Sequence, residues 1–322
     1  MTDKVQLTAI VTDAMVGKRL DQAVAELFPD YSRSRLQTWI KEGALTVDGE
    51  AKRPRDKLLG GEEVAINAEL EVIDQYKAVE MDLNIVYEDD DILVINKPAG
   101  LVVHPAAGHW DDTLLNGLLH YCPDIAQVPR AGIVHRLDMD TTGLMVVAKT
   151  IQAQTELVEQ LQERTMGREY EAVVNGVMTG GGTVDEPMGR HSRNRQKMAV
   201  VGLGKEAVTH YRVLNKFRAH THIRLKLETG RTHQIRVHMS YINYPLVGDQ
   251  LYGGRFRLPK GISPNLQGQL KDFQRQALHA KRLEIWHPAT GEPMAWEVDL
   301  PEDMQRLIGG LSADAEYHEI DL

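Results

Sequence analysis

The stretch V-H-R-L-D-M-D-T-T-G-L-M-V, from Val134 to Val146, decides how the rest of the chain is read. A short apolar run (Ala131, Ile133, Val134) leads into it and a second (Leu144 to Ala148) leads out. Between them stand His135, Arg136, Asp138 and Asp140, closed by Thr141-Thr142-Gly143. This predicts strand, polar turn, strand, with Gly143 free to take a positive φ. A carboxylate two residues after an arginine, at the end of a buried strand, can face a cleft with a rigid frame behind it. Asp138 can equally cap the turn, a common use of aspartate.

At 322 residues the chain has room for about two domains. Hydrophobic residues make up 42% and charged residues 26%, the balance of an ordinary globular protein. Cys122 is the single cysteine, so an intrachain disulfide and a thiolate metal cluster are both excluded. The start M-T-D-K-V-Q-L-T-A-I lacks a basic region followed by an apolar run, and no apolar stretch is long enough to span a membrane. A cytoplasmic location is expected. The net charge of −9 hides a strong asymmetry: between Pro187 and Lys260, fifteen Lys or Arg meet three acids, a local +12. A polyanion senses that local field, because charges farther apart than about 8 Å are screened at cellular salt. A solvated surface explains such a run equally well.

Residues 1–12 read as an edge strand or arm. Leu20, Ala23, Val24, Leu27 and Phe28 recur at helical spacing. Ser32 can cap a second helix that turns Leu36, Trp39 and Ile40 inward and Arg33, Arg35 and Lys41 outward, until Gly43 stops it. Leu45–Val47, the Asp48-Gly49 turn and Val64–Ile66 suggest a β ribbon, with Lys52 and Arg53 in the basic connection. Residues 68–82 read as a linker. Strands follow at 83–87, 92–95, 169–174, 207–214, 222–228, 277–286 and 294–298, with helices at 113–121, 151–163, 232–242 and 304–311. The acidic tail from Ser312 is expected to fray.

Several familiar signals fail. Gly202-Leu-Gly204 is followed by alternating A-V-T-H-Y-R-V-L, a strand pattern, where a dinucleotide fingerprint needs a helix. There is no Walker loop, no G-x-S-x-G elbow and no H-E-x-x-H; His233 and His238 are five apart, off one helical face. His220 and His222 share a strand face without a carboxylate close in sequence, which suits a structural or RNA-facing role better than ligation.

Four ordered motifs remain: N-K-P-A-G-L-V-V-H-P (Asn96–Pro105), H-R-L-D with T-T-G-L (from His135), R-E-Y-E-A-V (Arg168–Val173) and E-T-G-R-T-H-Q-I-R-V-H (Glu228–His238). Together they resemble the RluA class of RNA pseudouridine synthases. The front end, with G-K-R-L-D-Q-A-V-A-E-L, S-R-S-R-L-Q-T-W-I-K-E-G and V-D-G, resembles the S4 RNA-binding domain; a small helical protein-docking module has the same outline.

The resemblance implies an α+β fold: a mixed, mainly antiparallel sheet with flanking helices over 83–311, an S4-like domain over 1–67 (core 15–67), and a tail over 312–322. It implies isomerisation of specific uridines in 23S rRNA of the large ribosomal subunit or its precursor, at a stem-loop contacting the small subunit. No metal and no cofactor are implied, and a monomer is expected. Asp138 matches the essential aspartate, Arg136 the arginine that enters the base stack as uridine leaves, Tyr170 the tyrosine against the uracil, and Arg236 the basic partner of the aspartate. Met139 and Thr142 depart from the residues frequent in such sequences, which touches fine specificity only. Read singly, Arg236 is an ordinary helix cation and Tyr170 a core aromatic. Further RNA contacts are expected from Arg33, Arg35, Lys41, Lys52, Arg53, Arg190, Arg193, Arg231 and His233, with the +12 segment lining the cleft. Whether Asp138 acts as nucleophile or base stays open.

A non-catalytic rRNA-binding assembly factor and a metal-dependent RNA hydrolase are the rivals from other classes. Isomerisation oxidises nothing and transfers no group to water. Saturating chelator should therefore leave turnover at full rate without strand cleavage, followed by pseudouridine mapping and denaturing gels; the hydrolase would show the reverse.

Overall fold

Alternating and helical patterns along the chain become fourteen strands and seven α-helices in the computed structural model, which describes residues 4–29, 31, 33–69, 76–106, 108–194, 196–254 and 258–320. These fall into two compact units, 1–77 with 126–129 and 78–125 with 130–322.

In the first unit, β1 (Lys4–Ile10) is an edge strand of a three-stranded antiparallel sheet with β3 (Glu63–Glu69) in the centre and β2 (Leu45–Val47) beyond it. Helices α1 (Leu20–Leu27) and α2 (Arg33–Glu42) supply the apolar stripe that the spacing predicts: Leu20, Ala23, Val24, Leu36, Trp39 and Ile40 are all in one core with Leu45, Val64 and Ile66. Gly43 ends α2 at φ 77°, and the Asp48-Gly49 turn has φ of 51° and 78°, as the sequence demanded. Ser32, the expected cap, lies outside the described residues.

The second unit is built on a nine-stranded sheet. Its strands are β4 (Ile85–Glu88), β5 (Ile92–Lys97), β6 (Thr142–Ala148), β7 (Gly167–Asn175), β8 (Gly182–Asp185), β11 (Val208–Lys216), β12 (His220–Leu227), β13 (Leu278–Trp286) and β14 (Pro293–Glu297), while β9 (Met188–Arg190) and β10 (Met198–Val200) form a separate ribbon. The order is β4-β5-β6-β13-β7-β12-β11-β8, with β14 on β13. Among the described strands only β6 and β13 run parallel, joined at His279–Thr142 and Ala280–Gly143. The sheet is thus mixed and mainly antiparallel. Helices α3 (Leu114–Tyr121), α4 (Ile151–Glu163), α5 (Gln234–Tyr241), α6 (Pro264–Asp272) and α7 (Glu302–Ile320) complete the unit. Leu157 of α4 joins Val94, Val146 and Leu283 in one core, and α6 and α7 share another through Leu266, Leu270, Leu307 and Leu311. Among the described residues no helix is long and apolar enough to cross a membrane.

Three sequence expectations need correction. The apolar lead-in before Val134 is not a strand: residues 129–132 make a tight turn with Arg130 and Ala131 at φ 57° and 49°, and Ile133 forms a single bridge to Val147. Gly132 explains the bend, since a Cβ there would stand 1.8 Å from the Ala148 carbonyl oxygen. The linker is structured at both ends, in β3 to Glu69 and at Val79, whose N–H donates to the Asn116 carbonyl. The acidic tail does not fray; α7 runs through it to Ile320. Buried Leu311 and Asp314 hold it, and Arg218 donates to the Asp314 carboxylate at 2.8 Å, which also accepts the Ser263 N–H at 3.3 Å.

Asp314 is 5% exposed at its side chain and Arg218 27%, so their pairing is partly screened. Asp314→Ala should lower stability by about 1–3 kcal/mol and open α7 to protease, measured by urea denaturation and limited proteolysis.

Candidate active site

A cleft of about 900 Å³ in the second unit gathers side chains from the four motifs. Asp138, Tyr170, Arg136 and Arg236 all line it, so the residues singled out from sequence meet in space.

The turn that carries Asp138 is held from several sides. Lys97, at the end of β5 and 1% exposed, donates from Nζ to the carbonyls of Pro98, Leu101 and Met139 at 2.7–2.9 Å. Burial brings its ammonium down to about 7 against the pull of Asp140 and Asp138. Gln276 donates to Thr141 Oγ1 at 3.0 Å, and Arg275 to the Asp140 carbonyl at 3.1 Å. Thr142 Oγ1 meets His279 Nδ1 at 2.8 Å. Gly143 takes φ 114°, and a Cβ there would fall 2.3 Å from the Ala280 carbonyl oxygen. His135 turns back along β6: its Nε2 accepts the Val146 N–H at 3.1 Å, past the point where pairing with β13 ends. Burial, reinforced by the Arg168 charge, pushes His135 down to about 3, so the ring stays a neutral acceptor.

Arg236, on α5, bridges two carboxylates. Its Nη1 donates to Asp138 Oδ2 at 2.9 Å; its Nε and Nη2 form a bidentate pair with Asp249 at 2.7 and 2.9 Å. The Asp249 side chain is fully buried, and its Oδ1 also accepts the N–H groups of Leu251 and Tyr252, both at 2.9 Å. Burial alone would raise Asp249, but the Arg236 guanidinium and these N–H donors outweigh it and hold the acid below its ordinary 3.8. The Tyr252 ring lies under the guanidinium, 5.0 Å from its carbon. His233 closes the far side: Nδ1 meets the Tyr252 hydroxyl at 2.8 Å, and Nε2 stands 3.8 Å from Asp138 Oδ1. Burial lowers its pKa; Asp138 opposes that and Arg236 adds to it.

The E-T-G-R-T-H-Q loop is ordered by Gln234, whose Oε1 accepts from Thr229 Oγ1 and the Arg231 N–H at 2.8 and 3.0 Å. His233 at φ 59° then starts α5. Tyr170, 6% exposed, sits on β7 with Arg168 two residues before it on the same face. Burial raises its phenol above the usual range; Arg168 opposes this and Asp138 adds to it. Arg136 is exposed at the cleft wall.

The basic segment does not line the cleft as a block. Of its described cations only Arg231 and Arg236 do so; Arg130, Arg136, Arg164 and Arg168 come from elsewhere in the chain. Strand register scatters the rest: Arg218 holds Asp314, and Arg224 donates to Glu171 at 2.8 Å. Arg190 and Arg193 lie on and after β9, outside the cleft lining. In the first unit Arg33 and Lys41 are exposed on α2 and Arg35 is half-buried; Lys52 pairs with Glu50 and Arg53 with Asp56. His220 and His222 are buried, which rules out an RNA-facing role; His222 finds its carboxylate in Glu171 on the neighbouring strand, at 2.9 Å.

Sequence reasoning passed over Lys97, Arg168, Asp249 and Tyr252. Two signals were present: a lysine closing the apolar run I-L-V-I-N-K, and Asp249 as one of three acids among fifteen cations.

The profile of the RNA pseudouridylate synthase family matches residues 91–241, and that of the S4 domain residues 18–64. Ribosomal large subunit pseudouridine synthase D of Pseudomonas aeruginosa is 62% identical over 316 residues, covering 98% of this chain and 99% of its own. The chain belongs to the RNA pseudouridylate synthase family. The synthase D of Yersinia pestis is also 62% identical, over 98% of both chains, and that of Escherichia coli K12 is 59% identical over 99% of this chain and 98% of its own. Among solved structures, human RNA pseudouridylate synthase domain containing 4 superposes with a TM-score of 0.56 at 27% identity, covering 71% of this chain and 93% of that one. The pseudouridylate synthase fold and the S4 domain are therefore both present, and the chain is an RNA pseudouridine synthase, an isomerase.

In this synthase the Asp249–Arg236 pair is a buried ion pair, and removing Asp249 leaves the guanidinium only its single bond to Asp138. Asp249→Ala should cost about 3–5 kcal/mol at neutral pH, read by urea denaturation. The sign of its pH dependence follows from the depressed acid: the stabilisation is full above the unfolded value of 3.8 and is lost as pH falls through the folded one. Asp249→Ala should flatten the acid limb of the stability profile below that value.

Proposed function

We propose that this synthase converts specific uridines of large-subunit ribosomal RNA to pseudouridine, with Asp138 as the acting carboxylate. The observation that carries the reading is the 2.9 Å contact of Arg236 with Asp138 at a cleft that Tyr170 also lines. The names of the relatives support the choice of RNA.

The reaction breaks N1–C1′, turns the uracil, joins C5 to C1′ and moves the C5 proton away as N1 is reprotonated. Atoms and electrons balance within the nucleotide. Uridine leaves its stack at a cost of a few kcal/mol. Arg136, exposed at the cleft wall, enters the vacated place. Tyr170 offers its flat face to the uracil. Its phenol, kept neutral by burial, is suited to relay the C5 proton. Arg236 aims Asp138 through the contact on Oδ2, leaving Oδ1 for the sugar. His233 stays near that oxygen as a neutral ring. The S4 domain acts as a tethered second grip, raising the local concentration of RNA at the cleft. The enzyme is proposed to act as a monomer in the cytoplasm.

Asp138→Asn should reduce isomerisation by at least about 10³-fold with RNA binding largely kept, measured by tritium release and filter binding. Retained turnover would overturn the assignment. Pseudouridine mapping of total RNA from a deletion strain should show the loss confined to large-subunit rRNA.

A further inference from the structure

Among the cleft cations that this mechanism does not use, Arg168 is the buried one. Arg168 is 7% exposed, yet no carboxylate among the described residues lies within ion-pair distance of it. Among the described residues its one hydrogen bond is long, 3.4 Å from Nη2 to the Glu228 carbonyl, and its buried Nε meets no partner. A guanidinium kept this dry without an anion is costly, and its neighbours do not relieve it. Tyr170 is a neutral phenol and His135 a neutral ring that feels the Arg168 charge as repulsion. The loop is shaped around this side chain: Gly230 packs on it so closely that a Cβ would come 2.6 Å from Nη1.

We infer that Arg168 binds a phosphodiester of the substrate RNA, the one attached to the uridine that is turned into the cleft. This rests on the proposed reading of Asp138 and Tyr170. The geometry supports it in three ways. Arg168 lines the same cleft as Asp138. It shares the β7 face with Tyr170, two residues away, about 6.6 Å along a strand. That matches the reach from a base lying on Tyr170 to its own backbone linkage. And the guanidinium is planar, with unfilled donors, the form that recognises phosphate best. The uracil itself supplies only neutral carbonyls, which leave the buried charge uncompensated. RNA entry thus completes an ion pair that the free protein lacks.

The test is a cycle between protein and RNA. Substrate stem-loops carry one uncharged methylphosphonate, either 5′ or 3′ of the target uridine, and are assayed with wild type and with Arg168→Gln. Wild type should lose about 10- to 100-fold in kcat/KM with one of the two linkages, the size of one charge-assisted hydrogen bond, mostly through KM. Arg168→Gln on unmodified RNA should show a similar loss, with the salt dependence of log Kd shallower by about 0.7. It should then lose almost nothing more on the methylphosphonate RNA, whereas Arg168→Lys keeps part of the affinity. Equal losses to methylphosphonate in wild type and Arg168→Gln, or no loss at either linkage in wild type, would overturn the inference. If Arg168→Gln does not fold, the wild-type linkage scan and Arg168→Lys decide alone. Wild-type turnover of unmodified RNA reports separately on the reading beneath it.

Discussion

One guanidinium, Arg236, is shared between two carboxylates, and the site depends on how unequally it is shared. Asp249 receives two of its hydrogen bonds and is itself fixed by two backbone N–H groups; Asp138 receives one. The buried pair satisfies the cation before substrate arrives. Asp138 is therefore oriented by an Arg236 whose charge is already matched by Asp249. A lone Arg–Asp pair would hold its aspartate more tightly and leave it less to give. Electrostatic preorganisation of this kind costs no rearrangement at the moment of reaction.

The frame behind Asp138 serves the same end by different means. From His135 to Gly143 six of nine residues are polar, a stretch with little apolar surface of its own to hold it. Here Lys97, Arg275 and Gln276 bind its backbone and its threonine, and Gly143 lets β6 press against β13 where a Cβ would collide with the Ala280 carbonyl. Placing a catalytic carboxylate on a loop usually forfeits precision; bracing the loop from neighbouring strand ends restores it.

Much of this was legible in the chain. The helices of the first unit and the strands of the second follow from apolar periodicity and glycine placement, which are local properties, whereas Asp138, Tyr170 and Arg236 were legible as one site only through the resemblance of their motifs to a family. What escaped was non-local. Asp249 is thirteen residues from Arg236 and belongs to no motif. The bend at Arg130 and Ala131 is set by the Ala148 carbonyl that Gly132 approaches, so the apolar lead-in looked like a strand. The tail looked frayed because its anchor, Arg218, lies 96 residues away. The basic segment looked like a cleft lining because alternation on strands sends neighbouring cations to opposite faces, and charge counts do not record faces.

The place of β13 has a consequence for how the protein comes into being. That strand is late in the sequence yet sits in the middle of the sheet, between β6 and β7. Thr142 waits for His279, 137 residues farther on, before its hydroxyl has a partner, and Gly143 waits for Ala280. On the ribosome the motif that names the family is made long before the strand that braces it. Contacts of such separation form slowly, after the local ones. The nascent chain can thus complete its first unit and its β5–β6 hairpin, with Lys97 on the Met139 carbonyl, while the turn of Asp138 still lacks Arg275, Gln276 and His279.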